Sequence, residues 1–342
     1  MRPFLFALMV CGASWCTEGR GQTKPPESGE SLQVLVERLK SSHAVSERVR
    51  AAEAVAVYGQ KAVKPLIELL HSDDPRTQYY ACVALTRIGP VARDATPDLT
   101  ALAAESTAYS QAAAVVALGR IGPAAIDSAP VLLQLVRTGS CEVRESAIGA
   151  LSRMEPAVMP LLLNHLKGDD AAEIRSACAV VGRMGPKGKQ AVPALVALAH
   201  QADEEVRYAV FLALTGIGTA ALSDLTCMLR NEDASVRRLA AMVISELGGD
   251  GVAALSAICD ASCDRDAGVR FWAVRALGRI GKTDAEVANC LVRTAKDEDA
   301  DVRWQTAVTL HEIGVSASTR QALASLQNDA HPAVRAQARR AQ

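Results

Sequence analysis

Arginine is the residue type whose spacing first suggests chemistry. Arg48, Arg144, Arg207, Arg237, Arg270 and Arg303 each stand eleven residues before a recurring marker, usually glycine. A guanidinium is always charged and presents a planar fork of donors suited to carboxylates and phosphates. Repeated at one position, it could form a stripe that grips an anionic partner. It could also form a ladder in which each arginine meets acidic residues near the neighbouring helix starts, such as Asp233 or Asp266. The ladder is the favoured reading, with exposed pairs contributing only about 0–1 kcal/mol each.

The other reactive side chains do not assemble into a site. Histidines 43, 71, 165, 200, 311 and 331 share no position in the repeat. They lack carboxylate or thiol companions at metal-ligand spacing. His311-Glu312 is the pair to weigh, yet the position of His311 is taken elsewhere by Thr86, Gly119, Ser152, Gly182, Thr215, Ser245 and Gly278. Of nine cysteines, two fall in the first 16 residues, and the other seven follow no regular spacing. That excludes a disulfide framework and points to mostly buried thiols. Cys259 and Cys263 are close enough in sequence to bridge, though bystanders are the favoured reading. Cys82 and Cys178 fall among Ala52, Val115, Ile148, Phe211, Ala241, Val274 and Ala307, an apolar position that reads as core. There is no Gly-rich phosphate loop, nucleophile elbow or repeated carboxylate pair, so no catalytic, cofactor-binding or metal-binding residue is assigned.

The elements that carry these residues repeat. Gly59, Gly89, Gly122, Glu155, Gly185, Gly218, Gly248, Gly281 and Gly314 follow one another at intervals of 30 or 33 residues, which defines nine units. Eight residues before the marker stand small residues, from Ala51 and Ala81 to Thr306; four before it stand Val55, Leu85, Leu118 and their equivalents; one before it stands mostly Ile, Leu or Met. Offsets of four and seven place the three positions on one helix face. The glycine is the expected left-handed stop of this A helix. A B helix follows a short link, with Pro97, Pro130, Pro160 or Pro193 in its first turn, where the missing N–H costs nothing. Asp203, Asp233, Asp266 and Asp299 then stand where the next A helix needs an N-cap.

The pattern Asp-x-x-Val-Arg, then alanines, then Leu-Gly-x-Ile-Gly resembles the HEAT-like repeats of the phycobilisome-lyase type over about residues 31 to 342. The resemblance implies an all-α fold, a right-handed α-solenoid of about nine two-helix repeats. Departures are Glu155 for glycine, Ile174 and Gln78 and Gln111 for arginine. Deoxyhypusine hydroxylases look similar in fold and hold iron with several His-Glu pairs, whereas this chain has one. Bilin lyases share the repeat, so an enzyme or enzyme-accessory role of either kind is the alternative to a binding role. At the ends, Ser31 to Leu39 reads as a capping helix, and Pro332 to Ala341 begins a last A helix whose Arg339 and Arg340 give it a polar outer face.

Composition narrows the partner. The 37 basic and 38 acidic residues are interleaved, which leaves no basic field for nucleic acid. Met1-Arg2, the apolar run Pro3 to Ala13 and the small residues Gly12, Ala13 and Ser14 read as a signal peptide. The expected organisation is therefore residues 1–20 signal peptide, 21–30 linker and 31–342 solenoid. Export to the periplasm or outside is expected, with no lipid anchor, because Cys11 follows Val10 and Cys16 follows Trp15. No membrane span is expected, since no later run reaches about 18 uninterrupted apolar residues. The resulting expectation is a monomeric, non-catalytic scaffold with no cofactor, holding a protein partner on its concave surface. That surface is expected to be lined by the B helices, with Glu68, Gln134, Asn164, Lys167, Arg230 and Arg293 as candidate contacts.

Overall fold

The computed structural model describes residues 30–105, 108–200, 203–281 and 285–340. The expected signal peptide lies outside the described residues. Among the described residues there are twenty α-helices and no strand. In chain order the first ten are α1 (Leu32–Ser41), α2 (Val45–Ala56), α3 (Gln60–Leu70), α4 (Pro75–Ile88), α5 (Thr96–Glu105), α6 (Ala108–Ile121), α7 (Ala129–Thr138), α8 (Cys141–Arg153), α9 (Met159–Leu166) and α10 (Ala171–Met184). The rest are α11 (Val192–Leu198), α12 (Glu204–Ile217), α13 (Leu222–Met228), α14 (Ala234–Leu247), α15 (Leu255–Ala261), α16 (Ala267–Ile280), α17 (Ala285–Thr294), α18 (Ala300–Ile313), α19 (Arg320–Gln327) and α20 (Pro332–Arg339). Even-numbered helices are the A helices and odd-numbered ones the B helices.

Each A helix begins and ends as its sequence dictates. Asp74, Asp170, Asp203, Asp233, Asp266 and Asp299 all accept first-turn amides through their side chains. All eight marker glycines have positive φ. Gly281 is in the left-handed helical region, whereas Gly59, Gly89, Gly185, Gly218 and Gly248 pair positive φ with ψ near −128° to −144°, a conformation open essentially to glycine alone. The expected left-handed stop is thus a sharper turn, because most of the chain leads directly into a short 3-10 segment, such as Gly122–Ser128 or Gly185–Ala191, before the B helix.

The repeat positions are core. Every residue four before the marker, from Val55 to Leu310, is 0% exposed, and the small residues eight before it do not exceed 1%. Most B helices pack chiefly against the A helix that follows them across the Asp-bearing loop, and less against the A helix before. The nine periods are therefore joined as ten B-then-A hairpins, with α1 and α20 completing the first and last. Leu35 and Leu39 of α1 are buried, and Arg339 is exposed at the far end, as caps require.

The two rows are not equally spaced. Neighbouring A helices lie against one another along much of their length, while neighbouring B helices touch only at points. The cause is the run of small residues three before the marker. A Cβ added to Gly119 would stand 2.7 Å from Ala150 Cα, and one added to Gly182 would stand 3.2 Å from Ala213 Cα. Two rows of unequal spacing curve with the closer row inside, which places the A helices on the concave face. The expectation that B helices line it is reversed by this packing.

Three helical stretches, Tyr109–Thr138, Glu204–Met228 and Ala234–Ala261, are long and apolar enough by length and composition to cross a membrane. Each runs an A helix into a B helix through Gly122, Gly218 or Gly248 at positive φ. The expectation of no span rested on uninterrupted apolar runs, a narrower criterion.

Candidate functional site

The recurrent arginine forms a ladder. Arg237 donates from Nε and Nη2 to both oxygens of Asp264, each at 2.7 Å, and from Nη1 to the Asn231 and Glu232 carbonyls at 2.9 and 2.8 Å. Arg270 treats Asp297 in the same way, at 2.8 and 2.7 Å, and Arg303 grips Asp329 at 2.7 and 3.0 Å. The acids are not Asp233 and Asp266. They stand two residues before the N-cap, or before its counterpart His331, where the same carboxylate also accepts an amide: Asp266 N to Asp264, Asp299 N to Asp297 and His331 N to Asp329. Asp266 instead pairs with Arg238, and Asp233 with His200.

Burial pushes the Asp264 carboxyl up, but the hydrogen bonds from Arg237 and the Asp266 amide outweigh it and hold it below the usual carboxylate range. The Arg303 hydrogen bonds hold Asp329 low, and Asp264 and Asp297 hold the Arg237 and Arg270 guanidiniums above their ordinary value. The ladder thins towards the N-terminus. Arg48 reaches Asp74 through one contact of 3.3 Å, and the exposed Arg144 reaches the Gly139 carbonyl at 3.4 Å. Forks spent on neighbouring loops leave few donors for an external anion.

What the concave row offers is aromatic surface. Tyr79, Tyr109, Tyr208, Phe211, Phe271, Trp272 and Trp304 all lie on A helices, as does the buried Tyr80, and no B helix contains an aromatic residue. They form local clusters. Tyr79 and Tyr109 rings, from α4 and α6, stand 4.8 Å apart; Tyr208 stacks on Phe211 at 6.1 Å; Phe271 meets Trp272 edge-on at 5.5 Å, with the Arg275 guanidinium 5.0 Å from the Trp272 ring. Tyr208 and Leu212 are 61% and 49% exposed, too much for core residues. With Ala179 and Ala209 they line an open groove of about 630 Å³ between α10 and α12, bordered by Glu204 and by an Arg175–Glu205 ion pair at 2.7 Å. Sequence reasoning missed this surface, although the recurrence of aromatics in A helices and their absence from B helices was there to be read.

The six expected contacts are all exposed. Glu68, Gln134, Asn164 and Arg293 lie on α3, α7, α9 and α17, while Lys167 and Arg230 follow the ends of α9 and α13. Only Asn164 and Lys167 share a repeat; the others are distributed along the convex row. His71, His165 and His200 each meet one carboxylate, Asp98, Glu173 and Asp233, at 2.9, 2.9 and 2.7 Å. His311 and Glu312 are exposed at the end of α18. Among the described residues no three His, Cys, Asp or Glu side chains gather as metal ligands would. Cys82 and Cys178 are core, and burial pushes the Cys178 thiol up to about 12 and Cys82 further still.

Helices paired into hairpins and stacked in two rows around one continuous core define an α-solenoid. HEAT repeats match residues 32–118, 96–181, 159–245, 225–289 and 252–341, and the chain belongs to the HEAT-repeat family. No curated protein matches it. Among solved structures, the karyopherin Kap121p is similar at 16% identity and a TM-score of 0.53, over 90% of this chain and 40% of that one. Kap121p bound to Nup53p is similar at 16% identity and 0.52, over the same shares. An engineered protein is 21% identical over 91% of this chain and 97% of its own, with a TM-score of 0.37. The chain thus spans about 40% of the length of Kap121p.

Proposed function

We propose that this protein is a non-catalytic scaffold that holds an extended protein partner along its concave A-helix row. The observation that carries the reading is that every aromatic residue in a described helix lies on that row, with Tyr208 and Leu212 exposed at its groove. Tyrosine and tryptophan supply large contact area at low entropic cost and dominate interface hot spots. Structures of Kap121p with bound proteins support a partner of this class. The finer resemblance to phycobilisome-lyase-type repeats rests on the Asp-x-x-Val-Arg and Leu-Gly-x-Ile-Gly motifs, and export rests on the pattern of residues 1–20. We place the partner outside the cytoplasm and take the scaffold as a monomer.

The convex polar side chains Glu68, Gln134, Asn164, Lys167, Arg230 and Arg293 are the alternative contact surface, since all six are exposed. Photo-crosslinking groups placed at Tyr208 and at Gln134 separate the two rows. A partner that crosslinks from position 208 and is lost on Leu212→Asp supports the concave row. Capture from position 134 alone, undiminished by Leu212→Asp, overturns it. Iron or a bilin retained by the purified protein would instead favour the enzyme reading.

A further inference from the structure

Cys259 and Cys290 are 31 residues apart, about one repeat, and stand on the neighbouring B helices α15 and α17. Ile258 and Leu291, both 0% exposed, are the core residues of those helices. Cys259 follows its core residue and Cys290 precedes its own, so the two flank the core on opposite sides, about 100° away in each helix. On helices laid side by side, those flanks face each other. The Cys290 sulfur accordingly lies 3.9 Å from the Cys259 carbonyl and within hydrogen-bonding reach of the Cys259 thiol. Arg293 Nη2 stands 3.6 Å from it. Hydrogen bonding from Cys259, then from Ser262 and the Arg293 charge, outweighs burial and holds the Cys290 thiol below its ordinary range. Cys263, the partner that sequence proximity suggested for Cys259, is exposed in the following loop, and none of the three is in a disulfide.

We propose that Cys259 and Cys290 are a disulfide-forming pair, a covalent staple between two consecutive repeats. The oxidant is a small-molecule or protein disulfide. The Cys290 thiolate attacks one sulfur of the donor, forming a mixed disulfide and releasing one donor thiolate. The Cys259 thiol then gives up its proton and attacks the Cys290 sulfur, expelling the second donor thiolate. Two protein thiols are oxidised and one donor disulfide is reduced to two thiols. Access comes from local opening, which is easy for helices as short as the seven residues of α15. The staple acts on the convex row, where neighbouring helices touch little, so it supplies a tie that packing does not. The inference stands on its own and does not require the scaffold reading.

The test is peptide mapping of the folded full chain carrying Cys263→Ser, without reduction, after incubation with oxidised glutathione. Cys263 is removed because no arginine or lysine separates it from Cys259. The expected result is one linked species joining the Cys259 and Cys290 peptides, lighter by two hydrogens than their sum and reversed by dithiothreitol. Amide exchange in α15 and α17 should slow on oxidation. In a Cys290→Ala variant of the same background, both the link and the slowing should vanish. Glutathione adducts without a link, or two unmodified thiols in a chain shown by circular dichroism to be helical, would overturn the pairing. So would an unchanged link between the Cys290 peptide and Cys263 when Cys259→Ala is made in the natural sequence.

Discussion

Arg270 and Asp264 meet through the backbone: Arg270 Nη1 donates to the Asp264 carbonyl at 3.0 Å, while the Asp264 carboxylate is held by Arg237. The same relay continues along the array. The Asp297 carboxylate takes Arg270 and its carbonyl takes Arg303 at 2.8 Å; the Asp329 carboxylate takes Arg303 and its carbonyl takes Arg335 at 2.6 Å. Each loop thus offers its side chain to the repeat before and its backbone to its own helix. The ladder is continuous from Arg237 to Arg335, and it fixes the spacing of loops that carry no apolar core.

Breaking one rung should cost more than an exposed ion pair. Arg270 and Asp297 side chains are each 9% exposed, so Asp297→Ala leaves a nearly buried guanidinium with only the exposed Glu298, at 3.5 Å, as counter-charge. The expected loss is about 3 kcal/mol, against about 0–1 kcal/mol for Glu53→Ala, whose pair with Arg87 is exposed. Urea denaturation of both variants checks the contrast. Equal losses would mean that the ladder is no stronger than a surface pair.

Acid should release the same end first. Asp264 and Asp329 have folded-state values below those of the unfolded chain. Their contribution is therefore complete above the unfolded value of about 3.9 and is lost as pH falls through the folded one. Amide exchange followed from about pH 5 downward should accelerate in α16 to α20 before α6 to α8. Asp264→Asn should weaken the chain at neutral pH and flatten the local acid dependence. An unchanged dependence would show that Arg237 does not stabilise the ionised carboxylate.

How much of this could be read beforehand depended on which residues spoke for themselves. The markers, the Asp caps and the alanine and leucine positions gave every helix type, because each is a local signal with one physical cause. Pairing was harder: a period is the same whether counted from A or from B, so α1 read as a lone cap although it completes a hairpin with α2. The concave row was missed for a related reason. Thr86, Gly119, Ser152 and Gly182 were weighed against His311 as positions for metal ligands, whereas their smallness is what draws the A helices together. The acid partners of Arg237 and its successors were also misplaced, since Asp264 and Asp266 differ by two residues and only the loop geometry tells them apart, whereas Arg48 does meet the N-cap Asp74.

Enlarging one of these small residues should open the concave side. A Cβ on Gly119 would meet Ala150 Cα and Cβ at 2.7 and 2.8 Å, and neither is a flexible side-chain end that can swing away. Gly119→Val should force α6 and α8 apart, at a cost of about 1–3 kcal/mol. Gly249→Ala is the control, because nothing stands within 4 Å of its added Cβ. Small-angle scattering should show a changed curvature for the first variant alone. If Gly119→Val is as stable as the control, close A-helix spacing does not shape the array.

Because each hairpin touches only its neighbours, a lesion in the core should stay local. Leu118 and Leu214 are both 0% exposed, one in α6 and the other in α12, with α8 and α10 of the concave row between them. Aspartate at either place buries an unpaired charge, which a chain of ordinary stability cannot absorb without opening. Leu118→Asp should therefore raise amide exchange in α5 to α8 and leave α14 to α18 protected, while Leu214→Asp should raise it in α11 to α14 and leave α2 to α4 protected. Two separate zones would show that stability is passed from hairpin to hairpin. Loss of protection over the whole chain from either variant would show a single cooperative unit, and the nearest-neighbour account of this solenoid would fail.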